Sequence, residues 1–135
     1  MIFVDTDAWY ALMDAVDPHH RAAVAFWREL MRGDHGRLLT SDYVMAETYN
    51  LLRRRGGAEP VGKLAEVLTA TRSVELLWIS PEDHERGLEL LLRRRDKPWS
   101  FTDCTSFVVM ESLDVRDAFA FDRNFAQAGF RLHPD

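Results

Sequence analysis

Short apolar runs alternate with amphipathic segments along the whole chain, and this order constrains the fold more than any other feature. The run Ile2-Phe3-Val4 has the continuous apolar character of a strand that is buried on both faces. Further strands are predicted over residues 38–39, 74–79, 118–121 and 130–132. Strands that alternate with helices form βαβ units. We therefore expect a single α/β domain over residues 1–135, in which a mainly parallel sheet of four or five strands carries helices on both faces.

Serine and glycine residues mark where several of the predicted helices begin and end. Ser41 can cap a helix that runs to Arg55 and stops at Gly56-Gly57. Ser80 and Ser100 are the expected N-caps of two later helices, over 81–95 and 101–113. The remaining helices are expected over 8–16, 22–31 and 60–71.

The charge balance is acidic, but the basic residues have an unusual composition. The chain has 22 Asp and Glu against 17 Lys and Arg, and its formal net charge of −5, taken alone, argues against a polyanionic partner. Only Lys63 and Lys97 are lysines, which leaves 15 arginines, six of them in triplets at 53–55 and 93–95. The planar guanidinium suits bidentate contacts with phosphate. Each triplet also falls in the last turn of a predicted helix, where cations favour the helix dipole, so a purely structural role is the alternative.

Neither a membrane span nor an export signal is evident in the sequence. The apolar runs fall far short of the roughly 20 residues that cross a bilayer, and no basic stretch precedes a cleavable apolar segment. The lone Cys104 cannot form an intramolecular disulfide, and the Cys and His residues show no zinc-site spacing. We expect a cytoplasmic protein that does not contact a membrane.

Four acidic residues stand at positions where their side chains could meet. Asp5 and Asp122 each follow an apolar strand, and ligands of open parallel sheets bind outside the carboxyl ends of the strands. Glu47 borders the buried stripe of its helix, and Asp103 lies in the first turn of the helix that Ser100 caps. Each acid also has a structural alternative: a turn or cap at the strand ends, an ion pair with an arginine at position 47, and a capping box at position 103.

If these carboxylates converge, their mutual repulsion must be compensated. Like charges in one pocket cannot all stay ionised at low cost. Mg²⁺ and Mn²⁺ prefer oxygen ligands, keep several waters and bridge to phosphate oxygens. Such a site can activate a water molecule and stabilise in-line attack on a phosphodiester. The acids therefore predict a divalent-metal site for phosphodiester hydrolysis.

The ordered set of motifs resembles the PIN-domain ribonucleases, in particular the VapC-like toxins of toxin–antitoxin pairs. The motifs are Val4-Asp5-Thr6, Glu47 in the helix after Leu38-Leu39-Thr40-Ser41, Ser100-Phe101-Thr102-Asp103-Cys104 and Phe121-Asp122-Arg123-Asn124-Phe125, together with Asp17-Pro18-His19-His20-Arg21-Ala22. The resemblance covers essentially the whole chain. It implies a PIN-like α/β/α sandwich and a Mg²⁺- or Mn²⁺-dependent endoribonuclease that hydrolyses RNA, is inhibited by a cognate antitoxin and commonly forms a homodimer.

Carried over by position, the resemblance also assigns roles to individual residues. The acidic quartet that holds the metal and carries catalysis is matched by Asp5, Glu47, Asp103 and Asp122. Thr6 and Thr102 match hydroxyl positions that border the site, with helix capping as the alternative role. Two positions depart from the family pattern. Asp7 stands where a small polar residue is frequent, and Asn124 stands where His or Asp is common, although it can still exchange hydrogen bonds as an auxiliary residue.

Contacts with RNA are predicted from the two arginine triplets and from one tryptophan. The arginines are Arg53, Arg54, Arg93 and Arg94. Trp99 could stack on a splayed base, and packing over the start of the next helix is its alternative role.

Two other functions fit parts of the sequence. The segment Phe3-Val4-Asp5-Thr6-Asp7 also resembles the opening of haloacid-dehalogenase-like phosphatases. Those enzymes need a later lysine and a paired acidic motif, whereas Asp122 is followed by Arg123-Asn124. The second alternative is a PIN-like module that binds RNA or a protein without cutting, and the presence of all four acids argues against it.

Overall fold

Five strands form one sheet in the computed structural model, which describes residues 1–135. They are β1 (Ile2–Val4), β2 (Leu38–Ser41), β3 (Val74–Leu77), β4 (Asp117–Phe119) and β5 (Arg131–His133). Their order across the sheet is β3-β2-β1-β4-β5, and every neighbouring pair is parallel. The expectation of an α/β fold with a mainly parallel sheet is confirmed.

Seven helices connect the strands. They are α1 (Thr6–Met13) and α2 (His20–Met31) after β1, α3 (Asp42–Gly56) and α4 (Ala58–Ala70) after β2, α5 (Pro81–Arg93) and α6 (Phe101–Ser112) after β3, and α7 (Asn124–Gln127) after β4. Crossovers between parallel strands are right-handed, so the change of direction after β3 places α1 to α4 on one face and α5 to α7 on the other. Consistent with this, α1 contacts α2, α3 and α4, whereas α5 packs against α6. None of the seven is long and apolar enough to cross a membrane.

The strand order reverses between β1 and β4, and this reversal positions the site. From β1 the chain steps outward through β2 to β3, then returns past β1 to β4 and continues to β5. The connections that leave β1 and β4 go to opposite faces, which opens a crevice at the carboxyl ends of these strands. Asp5 directly follows β1, and Asp122 comes three positions after the end of β4. The topology therefore brings both acids to one crevice.

The central strands are buried because their side chains are apolar on both faces. Ile2, Phe3 and Val4 are fully buried in the core. The indole N–H of Trp9 donates to Thr40 Oγ1 at 3.1 Å, and this hydroxyl donates to the Val4 carbonyl at 3.1 Å. The buried polar groups of Trp9 and Thr40 are thus both hydrogen-bonded, as burial requires.

Helix α1 begins and ends earlier in the chain than the sequence predicts. It begins at Thr6 because Asp5 occupies the N-cap position. It ends at Met13 because Asp14 turns the chain, with its Oδ1 accepting from the backbone N–H of Val16 at 3.0 Å. The predicted extension to residue 16 is therefore wrong.

Two further differences arise from side chains that capture backbone groups. Strand β3 ends at Leu77 and not at residue 79, since the backbone N–H of Ile79 donates to Asp42 Oδ1 at 2.8 Å. Helix α7, which the sequence did not predict, follows a turn in which Asp122 Oδ1 accepts from the backbone N–H of Asn124 at 2.8 Å.

Candidate active site

A cavity of about 390 Å³ opens at the carboxyl ends of β1 and β4. Its lining is strongly acidic and includes a single Lys or Arg side chain, Arg55. The carboxylates that line it are those of Asp5, Asp7, Asp17, Glu47, Asp103 and Asp122. All four acids of the predicted quartet therefore line this cavity, and α3 contributes Glu47.

Asp5 is buried at the point where β1 becomes α1, with 4% of its surface exposed. Its backbone N–H donates to the Phe119 carbonyl at 3.0 Å, which extends the pairing with β4 by one residue. The side chain makes no capping hydrogen bond to α1. Asp5 therefore occupies the N-cap position without a side-chain capping bond, which leaves its carboxylate to line the cavity.

Asp7 belongs to the site, although the sequence indicates only that it departs from the family pattern at this position. Its Oδ2 accepts from the backbone N–H groups of Phe121 at 3.1 Å and Asp122 at 2.9 Å, whereas its Oδ1 is buried without a partner. Carboxylate oxygens of Asp5, Asp7 and Asp122 all lie within 4.8 Å of one another. We call these three residues the acid cluster. Asp7 thus fixes the turn that carries Asp122 and adds a third charge beside it.

Asp103 lies beside the acid cluster and has two structural partners. It forms the predicted capping box, in which the Ser100 N–H donates to its Oδ2 at 3.0 Å and its own N–H donates to Ser100 Oγ at 3.0 Å. Asn124 Nδ2 donates to the same Oδ2 at 2.9 Å. Both hydrogen bonds hold one carboxylate oxygen in place. Asp103 is therefore a cap and a cavity wall at once, so its two proposed roles are compatible.

Burial and crowding raise the pKa values of these acids. Burial raises the pKa of Asp5 well above its usual value, and the charges of Asp7 and Asp103 add to the effect. Burial also raises the pKa of Asp7 to about 6, against the lowering effect of the two backbone N–H groups. The pKa of Asp103 is raised by burial and by the charge of Asp122. The arrangement disfavours full ionisation and favours a cation that would neutralise it.

Glu47 and the two threonines differ from expectation in their surroundings. Glu47 lines the cavity beside the buried stripe of α3, but its side chain is exposed and forms no ion pair with an arginine, so the ion-pair alternative is wrong. Thr6 lines the cavity with a buried Oγ1 that has no partner, and it does not cap α1. Thr102 does not line the cavity. Its carbonyl accepts from the hydroxyls of Thr105 and Ser106, both at 2.9 Å, so the expected site-bordering hydroxyl is not found there.

Trp99 is not available for stacking on a base. It is 6% exposed, its indole N–H donates to Gln127 Oε1 at 3.2 Å, and its ring packs edge-on against Phe107 at 5.1 Å. Arg94 lies over this ring at 5.3 Å and pairs with Asp96 through two hydrogen bonds of 3.1 and 3.2 Å. The prediction of a base contact by Trp99 is wrong because the ring belongs to the core.

The arginine that lines the cavity is the one member of the first triplet that the predicted RNA contacts omitted. None of Arg53, Arg54, Arg93 and Arg94 lines it. Arg55 follows Leu51 by four positions and Glu47 by eight, and all three line the cavity from one side of α3. Residues four apart share a helix face, so this spacing from Glu47 is the signal that could have singled out Arg55.

The donor set fits the divalent cation that the acids predict. The ligand atoms that the acid cluster itself offers are all carboxylate oxygens, which suits Mg²⁺ and Mn²⁺ and disfavours soft metals. Two buried oxygens, Thr6 Oγ1 and Asp7 Oδ1, have no hydrogen-bond partner in the protein. Buried polar atoms are normally satisfied, and a hydrated cation beside them would supply partners.

Comparison with known proteins decides the family. The sequence model of the PIN domain matches residues 2–131. The chain belongs to the PIN domain family. The 23S rRNA-specific endonuclease VapC20 of Mycobacterium tuberculosis is 36% identical to this PIN domain over 130 residues, which are 96% of this chain and 95% of that protein. The VapC ribonuclease of Archaeoglobus fulgidus is 27% identical over 124 residues, 91% of this chain and 78% of that protein.

Solved structures agree with this assignment. The crystal structure of VapC20 from Mycobacterium tuberculosis, described as a sarcin-ricin loop cleaving toxin, matches this PIN domain with a TM-score of 0.88 and 34% identity over 96% of each chain. A protein from Pyrobaculum aerophilum matches with a TM-score of 0.67 and 19% identity over 97% of this chain and 87% of that one, and shares the fold. The resemblance to VapC-like PIN-domain ribonucleases is confirmed. The phosphatase alternative is excluded.

Proposed function

We propose that this PIN domain is a Mg²⁺- or Mn²⁺-dependent endoribonuclease that acts as the toxin of a VapBC-type pair. The observation that carries the proposal is the acid cluster, which brings three carboxylates within 4.8 Å at the crevice between β1 and β4. Its VapC relatives are ribonucleases, and VapC20 acts on 23S rRNA. An all-oxygen site of this kind suits phosphodiester hydrolysis.

The residues around the crevice would have different roles in such a reaction. Asp5, Asp122 and Asp103 would hold the cation, with Asp103 oriented by Ser100 and Asn124. When bound, the cation lowers the pKa of water and neutralises charge on the phosphodiester. Glu47, an exposed carboxylate that lines the cavity, would orient the attacking water and accept its proton. Asp7 keeps Asp122 in place through the turn that it holds.

The partners follow from the same family relation. The VapC relatives imply an RNA substrate and a VapB antitoxin. We further propose that the protein acts in the cytoplasm, where RNA is available, and that it forms a homodimer. Light scattering on the purified protein distinguishes a dimer from a monomer. A monomer at all concentrations would contradict the proposed homodimer.

The test of the proposed function is metal-dependent cleavage of RNA by the purified, antitoxin-free protein. A hairpin that contains the sarcin-ricin loop is the first substrate, because VapC20 is described as cleaving it. We expect cleavage with Mn²⁺ or Mg²⁺, none with chelator, and a loss of at least about a hundredfold in Asp5→Asn, since metal sites of this type supply several kcal/mol to the transition state.

The matched control for this test is Asp17→Asn. Asp17 lines the same cavity outside the acid cluster, so the control removes one charge from the cavity and keeps the proposed ligands. Cleavage that persists in chelator, or that is unchanged in Asp5→Asn, would contradict the metal-dependent mechanism. Binding of RNA without any cleavage would instead support the non-catalytic alternative.

A further inference from the structure

Arg55 is the one Lys or Arg side chain in a cavity that six carboxylates line, yet it pairs with none of them. Its guanidinium lies over the ring of Tyr10, 5.1 Å from the ring centroid. Asp14 attracts this charge, but no carboxylate forms a salt bridge with Arg55, so its guanidinium N–H groups are available to an anionic ligand. Arg55 therefore offers a positive charge for a ligand in the same cavity as the acid cluster.

The surface beneath Arg55 holds the guanidinium in place. Tyr10 is 6% exposed, and its hydroxyl donates to Asp14 Oδ2 at 2.6 Å. A guanidinium stacked on a fixed aromatic ring gains cation–π attraction and loses less side-chain freedom on binding. All three arginines of this turn are exposed, but only Arg55 is held over an aromatic ring and lines the cavity, whereas Arg53 and Arg54 lie outside it.

A second, smaller cavity of about 180 Å³ continues from Arg55 away from the acid cluster. It shares Tyr10 and Arg55 with the first cavity. Apolar surface from Met13, Leu52 and Pro60 lines it, together with the carboxylate of Asp14, which accepts from the Tyr10 hydroxyl. An extended strand that leaves the acid cluster over Arg55 would enter this groove. Apolar and aromatic surface beside a cation matches the alternation of base and phosphate in a single strand of RNA.

We propose that Arg55 binds the phosphodiester next to the one that is cut, and that the groove beyond it takes the adjoining nucleoside. The proposal rests on the proposed function, because the acid cluster fixes where cleavage occurs. Bidentate donation by the guanidinium fork would bind this phosphate and would set the register of the RNA strand in the site.

The first test compares three arginines that differ in position but not in charge. Binding of a labelled single-stranded RNA is measured in chelator at several salt concentrations for Arg55→Gln, with Arg53→Gln and Arg54→Gln as matched controls. We expect Arg55→Gln to weaken binding about tenfold and to reduce the slope of log affinity against log salt by about 0.7, the contribution of one phosphate contact on a single strand. The controls should stay within about twofold of the unsubstituted protein. Arg55→Lys should recover the slope but only part of the affinity.

The second test locates the phosphate. In the hairpin used for cleavage, each linkage around the mapped cut is replaced in turn by a neutral methylphosphonate. We expect one flanking linkage whose neutralisation weakens binding to the unsubstituted protein and has little effect on Arg55→Gln, because the two changes remove the same contact. Equal losses at that linkage in both proteins would overturn the proposal, as would an unchanged salt slope in Arg55→Gln.

These outcomes separate the subsite from the proposed function. Cleavage by the unsubstituted protein together with normal affinity and slope in Arg55→Gln would refute the subsite alone. Arg55-dependent binding without cleavage in Mn²⁺ would refute the nuclease alone. If a peptide, and not RNA, occupies the groove, the three arginine variants will bind RNA alike, and this result also overturns the proposal.

Discussion

Asp7 joins two parts of the chain that lie 114 positions apart in sequence. One of its oxygens holds the turn after β4 through two backbone N–H groups, and the other is buried next to Asp5 and Asp122. Spacing alone shows only that an acid stands two residues after Asp5. The contact with the turn after β4 depends on the pairing of β1 with β4, so it could not be predicted from the sequence.

The substitution Asp7→Asn should stabilise the metal-free protein at neutral pH. Asn keeps a carbonyl oxygen for the two backbone N–H groups and removes the charge. Because the folded-state pKa of Asp7 is raised from 3.8 to about 6, the native state binds its proton more tightly, and the free energy of unfolding falls as pH rises through this interval. We expect the variant to be more stable by on the order of 2 kcal/mol above pH 6 and equally stable below pH 3.8.

Urea denaturation in chelator across this pH range measures the difference. Asp17→Asn serves as control, since it removes one charge from the same cavity but outside the acid cluster. If Asp7→Asn is less stable than the unsubstituted protein at pH 7, the ionised carboxylate is needed to hold the turn.

Helices α5 and α6 are in close contact at Gly87. A Cβ at this position would lie 2.6 Å from Thr105 Cγ2 and 3.2 Å from the Thr105 backbone. Gly87→Ala should therefore destabilise the protein by about 1–3 kcal/mol, although alanine favours a helix. Thr105→Ser removes the methyl group and keeps the hydroxyl that donates to the Thr102 carbonyl, so the double variant should recover part of the loss. Thermal denaturation of the four proteins measures the coupling. An alanine variant as stable as the original would contradict the close contact.

Two serine caps allow stability and activity to be separated. Ser100 accepts from the Asp103 N–H at the start of α6, and Ser80 accepts from the Asp83 N–H at the start of α5, away from the cavity. Removal of either hydroxyl should cost about 1 kcal/mol in unfolding experiments. Only Ser100→Ala should also reduce RNA cleavage, because it frees the first turn that carries Asp103. Equal activity in both variants would show that the capping box does not position Asp103 for catalysis.

The same elements show what sequence patterns can and cannot predict. The caps at Ser41, Ser80 and Ser100 were predicted and are present, because a cap is a local interaction between residues three apart. The sequence does not predict the end of β3, because it depends on Asp42, 37 positions away. Nor does it predict α7, whose four residues are too few to show a helical pattern. For Trp99 the sequence leaves two roles open, a base contact and packing over the start of α6, and the contacts with Phe107 and Gln127 in the folded protein decide for packing.

At the scale of the whole molecule, the placement of charge matters more than the net charge of −5. Six carboxylates converge on one cavity, and a single arginine faces them there. The convergence of Asp5 and Asp122 could be anticipated, because both follow strands of a parallel sheet and the sheet order brings β1 next to β4. That Glu47 lines the cavity without joining the acid cluster could not be anticipated, because its position depends on how α3 packs against the sheet.

This concentration of charge predicts that divalent cations stabilise the fold. A ligand that binds only the native state raises the free energy of unfolding by about 2.7 kcal/mol at a hundred times its dissociation constant. We expect Mn²⁺ or Mg²⁺ to raise the melting temperature by several degrees at neutral pH, and by less near pH 5, where protons compete for Asp7 and its neighbours. Asp5→Asn should abolish the increase and Asp17→Asn should retain it, because only the first residue belongs to the acid cluster. An unchanged melting temperature at millimolar metal, or an equal increase in both variants, would show that the cation does not bind at the carboxyl ends of β1 and β4.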